Sequence, residues 1–131
     1  MKELILLFSL ITAFFGNNYA SSVGFASLAG DSVAYQNLSV PDFQKLLADS
    51  TVQLVDVRTP AEFEAGHIPH ALNIDVKEVN FEKNIEVLDP ARPVAVYCRS
   101  GARSRKAARK LAEKGFRVYN LDKGFLSWPK D

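Results

Sequence analysis

The sequence predicts an α/β domain with a parallel sheet covered by helices on both faces. Three observations carry this. Short apolar runs recur along the chain, helical spacings of apolar residues separate them, and proline, glycine and aspartate punctuate the joins. Strands that alternate with helices pair in parallel, and ligands of such sheets bind beyond the C-terminal strand ends. The only cysteine, Cys98, follows an apolar run at residues 94–97 and precedes a basic helical pattern.

The elements follow in order. Residues 35–38 read as a first strand, after which Ser39 and Asp42 bracket Pro41 as a helix cap. Phe43, Leu46 and Leu47 form that helix's apolar stripe, which ends near Asp49. Residues 52–57 are a second strand running into Asp56, Val57 and Arg58. Thr59 then supplies an N-cap, Pro60 the first helical position and Glu62 an acid at the third, so a short helix starts here and stops by Gly66. Residues 71–74 form a third strand, and residues 76–87 read as a weaker helix. Asp89, Pro90 and Pro93 punctuate the way into the buried strand at 94–97. A helix over 102–114 buries Ala107, Ala108 and Leu111 and ends at Gly115. Residues 117–121 are the last strand. Gly124 and Pro129 bracket a final helical turn that carries Phe125 and Trp128.

Ahead of this domain, Lys2 precedes an uncharged run over 4–15 and a more polar segment over 16–21, the plan of a secretory signal peptide. That run is shorter than the about 20 residues that span a bilayer, which argues against an uncleaved anchor. We expect a signal peptide over 1–20 cleaved after Ala20, with Ala26 as the alternative, a flexible leader over 21–34 and a domain over 35–129. The expected location is the periplasm or the outside of the cell. Exported chains usually pair their cysteines, and Cys98 has no partner within the chain. A lone thiol there is either buried and inert or has a function.

Its neighbours favour the second. Arg99, Ser100, Gly101, Ala102, Arg103 and Ser104 place two cations, a glycine and two hydroxyls beside it. They lead into a helix N-terminus, whose unpaired N–H groups and positive dipole end stabilise a thiolate or a bound anion. The thiolate is the nucleophilic form of cysteine.

These residues are similar to the rhodanese family, whose single domains combine an Asp-Val-Arg strand end, a Gly-His-Ile-Pro segment and a cysteine loop opening a helix. They stand here as Asp56-Val57-Arg58 with Glu62 and Phe63, as Gly66-His67-Ile68-Pro69 with Ala71 and Asn73, and as the loop from Cys98 to Ser104. The resemblance implies a five-stranded parallel sheet flanked by helices, covering residues 35–128. It also implies sulfur transfer: Cys98 takes the outer sulfur of thiosulfate, polysulfide or a persulfide, holds it as a persulfide, and passes it to a thiol or cyanide. The N–H groups of residues 99–104 would cradle the sulfur and the donor's oxygens, with Arg99 and Arg103 orienting the anion. The implied partners are an anionic sulfur donor and a thiol or cyanide acceptor, a protein acceptor included. No cofactor, nucleic acid or membrane contact beyond the signal peptide is expected.

Two departures from the family pattern stand out. His70 occupies a position where glycine is common, which is expected to alter the turn after Pro69. Lys123 replaces the first of a glycine pair, leaving Gly124 alone. Both lie outside the cysteine loop and are expected to bear on packing or acceptor access.

Other classes fit less well. Phosphatases and arsenate reductases of this fold carry a loop one residue longer, with an arginine six positions after the cysteine. Here that position is Ser104, so a tetrahedral oxyanion lacks an aligned fork. From residue 98 to 117 there are eight basic residues and one acid, Glu113, half of the chain's 16 lysines and arginines. Arg105, Lys106, Arg109 and Lys110 read as a solvated helix face whose field draws anions to the site, or on which a protein partner that loads a sulfur-carrier module would dock. A formal net charge of +1 disfavours a nucleic-acid surface. His67 and His70 lack further ligands at metal spacing and read as turn residues. Asp56, Arg58 and Glu62 are expected to form a structural ion pair at a strand end. Phe63, Phe125 and Trp128 read as core or pocket wall.

Overall fold

In the computed structural model, which describes residues 34–130, the most apolar strands lie at the centre of the sheet. The first strand, β1 (Gln36–Leu38), leads into helix α1 (Val40–Leu47). Strand β2 (Gln53–Asp56) leads into α2 (Pro60–Ala65), and β3 (Leu72–Asn73) into α3 (Phe81–Asn84). Strand β4 (Val94–Tyr97) precedes α4 (Ala102–Glu113), and β5 (Val118–Leu121) precedes a 3-10 turn (Phe125–Ser127). All pairings are parallel, in the order β1-β5-β4-β2-β3. The edges are the two shortest and most exposed strands, and β4 is buried along its length. Short edge strands leave little unpaired backbone to recruit another chain.

Alternation along the central strands sorts side chains into two cores. Val55, Val57, Val94, Val96 and Cys98 face α4, where Ala107, Ala108 and Leu111 meet them together with Phe81 and Ile85. Leu54, Ala95, Tyr97 and Leu121 face α1 and pack on Phe43 and Ile68, with Phe125 and Trp128 beside them. The chain leaves β2 toward one edge and β4 toward the other. Their adjacent C-terminal ends are therefore the switch point of the sheet, the place where open α/β sheets bind their ligands. Asp56, Arg58 and Cys98 all lie there.

The caps form as the sequence predicts. Ser39 accepts the Asp42 N–H at the start of α1. In α2 the Thr59 hydroxyl accepts the Glu62 N–H while the Glu62 carboxylate accepts the Thr59 N–H, a reciprocal capping box.

One expectation is corrected. The helix expected over 76–87 is confined to Phe81–Asn84 and a 3-10 turn, Ile85–Val87. Upstream, Val76 still donates to the Val57 carbonyl, extending the β3 ladder. The Asp75 carboxylate then accepts the Lys77 N–H, a local turn that competes with helix. In the turn after Pro69, His70 adopts a left-handed backbone, φ 74°, of the kind glycine takes readily. Ala71 N–H donates to the Ile68 carbonyl, closing a turn with proline second and the left-handed residue third.

The segments expected as signal peptide and most of the leader lie outside the described residues. Among the described residues, no helix is long and apolar enough to cross a membrane.

One buried hydrogen bond holds the segment after α2 to the central strand: the Ile68 N–H donates to the Tyr97 hydroxyl at 3.0 Å. Burial, and then the adjacent Asp56, push the Tyr97 phenol above its ordinary pKa, so it stays protonated. Tyr97→Phe leaves that N–H without an acceptor and is expected to cost about 1–3 kcal/mol in urea denaturation. A loss below about 0.5 kcal/mol would show that the bond contributes nothing.

Candidate active site

Tyr97 ends β4 and Gly101, at φ 110°, turns the chain into α4. Four residues must reverse direction there, and only glycine fits at the third after the cysteine: a Cβ on Gly101 would lie 2.2 Å from the Asp122 carbonyl oxygen. The loop wraps around the Cys98 sulfur, which is 1% exposed. Burial alone would suit an inert thiol. However, the Gly101 N–H points at Sγ from 3.1 Å, and the N–H groups of Ser100 and Ser104 and the Ser104 hydroxyl face it too. Burial pushes the thiol pKa up, and these donors, led by the Ser104 hydroxyl, outweigh it and leave the thiol below its ordinary value. Ser104 is fully buried, and its single hydroxyl proton serves either the sulfur or the Gly101 carbonyl 3.2 Å away. Arg99, Ser100 and Ala102 are exposed on the outer side of the loop.

The loop's carbonyls are tied down elsewhere. Phe125 N–H donates to the Cys98 carbonyl at 2.8 Å and Leu126 N–H to the Arg99 carbonyl at 3.0 Å, so the 3-10 turn after β5 backs the loop. Gly124 makes that approach, since a Cβ there would sit 2.4 Å from the Arg99 oxygen and 2.7 Å from the Ser100 nitrogen. Sequence reasoning missed this strap; its only signal was the glycine at 124, beside the position where Lys123 breaks the pair.

The three charged residues expected to pair with one another divide instead. Asp56 and Arg58 form a buried pair, Nη2–Oδ2 2.7 Å and Nε–Oδ1 3.0 Å, and Arg58 also donates to the Gly66 carbonyl at 2.7 Å. The Arg58 guanidinium lies 4.5 Å from the Phe125 ring centroid, so the pair reaches the strap. Glu62 turns the other way and grips Arg103 in a two-pronged bond, Nη1–Oε1 2.8 Å and Nη2–Oε2 2.9 Å. Arg103 holds the Glu62 carboxyl at a pKa of about 2, against the cost of burial and with help from Thr59.

On the outer face of α4, Arg105 lies 3.8 Å from Asp122 and Lys114 3.8 Å from Glu82. Arg99, Lys106 and Arg109 are exposed with no ion pair among the described residues. His67 stacks on Phe63 at 3.7 Å and Trp128 meets Phe43 edge-on.

Known proteins share this architecture. A family model described as Rhodanese-like domain matches residues 39–131. The chain is 40% identical over 88 residues to a sulfurtransferase of Allochromatium vinosum, covering 66% of this chain and 80% of that one. It is 38% identical over 96 residues to the thiosulfate sulfurtransferase GlpE of Shewanella oneidensis, covering 72% and 93%. Among solved structures, a rhodanese-like domain protein from Staphylococcus aureus superposes with a TM-score of 0.66 at 28% identity, covering 73% and 93%.

The Ser104 hydroxyl stabilises the thiolate and not the thiol, so its removal raises the thiol pKa. Ser104→Ala is expected to move the pH profile of Cys98 alkylation by iodoacetamide to higher pH and to slow it several-fold near neutrality. An unchanged profile, or one moved to lower pH, would mean that the hydroxyl does not act on the sulfur.

Proposed function

Because this chain belongs to the rhodanese-like domain family, we propose that it transfers sulfane sulfur through a persulfide on Cys98. The relatives support sulfur transfer at the level of the family. The observation that carries the reading for this chain is the set of N–H groups from Ser100, Gly101 and Ser104 turned on one buried sulfur. Such donors stabilise charge on the thiolate, then on the terminal sulfur of a persulfide, without reorganising between steps.

In the first step the Cys98 thiolate attacks the outer sulfur of thiosulfate. A Cys98 S–S bond forms, the donor's S–S bond breaks, and sulfite leaves with the electron pair. In the second, a thiolate or cyanide attacks the outer sulfur of the persulfide and Cys98 recovers its electron pair as a thiolate. Protons balance without a general base once the thiol is ionised, so Asp56 and Arg58 are assigned to structure. Splitting one difficult exchange into two displacements is what a covalent carrier contributes. The position six after the cysteine is Ser104, and the Arg103 guanidinium is bound to Glu62, so neither offers a fork to a tetrahedral oxyanion. That weighs against hydrolysis or oxyanion reduction.

A second reading rests on the exposed, unpaired Arg99, Lys106 and Arg109, which suit an acidic protein that loads or unloads the sulfur. Turnover with thiosulfate and cyanide alone separates the two. We expect steady formation of thiocyanate, reduced to the uncatalysed rate in Cys98→Ser with an unchanged urea midpoint; full activity in that variant would end the persulfide reading. A wild-type protein that forms no thiocyanate would favour the carrier module.

We also infer export through residues 1–20, supported by their charge and hydropathy pattern. Protein recovered from cells is expected to begin at Ser21, and an intact N-terminus in the cell-wall-free soluble interior would contradict export.

A further inference from the structure

We propose that Glu62 is a specificity-determining residue that withholds Arg103 from the donor and so disfavours doubly charged donors at this site. The inference rests on the reading of Cys98 as the atom that receives sulfur from an anion, and it concerns which anions reach it.

Arg103 occupies the second position of α4, one residue before the buried Ser104, and its charge is felt at Cys98. By position it is a cation that an anion entering the loop would meet. Yet both of its outer nitrogens are spent on the two oxygens of Glu62 at 2.8 and 2.9 Å. Asp75 acts on it as a second carboxylate. The partner is not free to move away: Glu62 Oε1 also accepts the Thr59 N–H and the Thr59 hydroxyl, each at 3.0 Å, as one half of the α2 capping box. An anionic donor must therefore compete with a carboxylate that is fixed in place. Arg99 is exposed and has no ion pair among the described residues.

Glu62 could be only a helix cap. The chemistry of glutamine separates the roles, because its carbonyl oxygen still accepts from Thr59 while its amide offers Arg103 a donor in place of an acceptor. With its oxygen at the Oε1 position, Glu62→Gln keeps the cap and one Arg103 bond, releases the Nη2 bond and removes the charge that neutralises the guanidinium. Charge then enters the outcome in proportion to the donor's own charge.

The test compares thiosulfate, a dianion, with benzenethiosulfonate, a monoanion that gives up its outer sulfur in the same way with a sulfinate as leaving group. In Glu62→Gln we expect kcat/KM to rise about fivefold for thiosulfate and about twofold for benzenethiosulfonate, the gain shrinking as salt is added. Adding Arg103→Met to that variant is expected to remove the gain, and Arg103→Met alone to lower thiosulfate use below wild type. A readout that needs no sulfur transfer accompanies these: the sulfate concentration that halves Cys98 alkylation by iodoacetamide is expected to fall about fivefold in Glu62→Gln. An unchanged donor ratio with unchanged sulfate protection would overturn the role of Glu62, as would a gain that survives Arg103→Met. If sulfate protection moves as expected while neither donor loads Cys98, the anion selectivity stands and the sulfur-transfer reading falls instead.

Discussion

The structure depends on which way the peptide groups of one short loop point. Around Cys98 the N–H groups of Ser100, Gly101 and Ser104 face the sulfur, and this is available only if the carbonyls of the same peptides face outward. A buried carbonyl without a donor costs as much as a lost hydrogen bond, so outward carbonyls need partners. For the peptide that presents the Ser100 N–H, the Leu126 N–H supplies one to the Arg99 carbonyl, and the neighbouring Cys98 and Gly101 carbonyls take the N–H groups of Phe125 and Arg105. The strap thus fixes one of the three peptides whose N–H groups face the sulfur. A cysteine placed at any other helix N-terminus would have the dipole but not this arrangement.

The strap is itself placed by the buried Asp56 and Arg58. Buried ion pairs are poor sources of net stability, because desolvation offsets much of their attraction. Their use here is positional. Arg58 joins the end of β2, through Asp56, to the carbonyl of Gly66 and to the face of Phe125. The end of β2, the carbonyl eight residues beyond Arg58 and a ring from the far end of the chain meet at one guanidinium. Tyr97 completes the set, its hydroxyl accepting the Ile68 N–H one residue before the cysteine. The site is therefore tied by buried hydrogen bonds on the side of β2 and meets solvent on the side where Arg99 and Ser100 are exposed.

Much of this was legible in the sequence because it is local. Thr59, Pro60 and Glu62 write a capping box within four residues, and the run into Cys98 followed by a glycine and a basic helix writes a strand, a loop and a helix N-terminus. What was not legible depends on distance. Glu62 lies 41 residues from Arg103, so nothing nearby shows that the same carboxylate that caps α2 also neutralises a loop cation. The strap touches the loop through backbone atoms, which leave no side-chain pattern beyond the glycine at 124. The helix expected over 76–80 fails for a different reason, since the Asp75 side chain competes for the backbone and the apolar spacing cannot reveal that. His70 shows the converse, a residue forced into a glycine's conformation because the turn after Pro69 is fixed by its neighbours.

Covalent carriage of sulfur by Cys98 is read from the intact mass of the purified protein. Thiosulfate is expected to add one sulfur atom, cyanide to remove it, and Cys98→Ser to gain none. A folded protein with a free thiol that gains no mass from thiosulfate or polysulfide, or a gain that persists in Cys98→Ser, would contradict it.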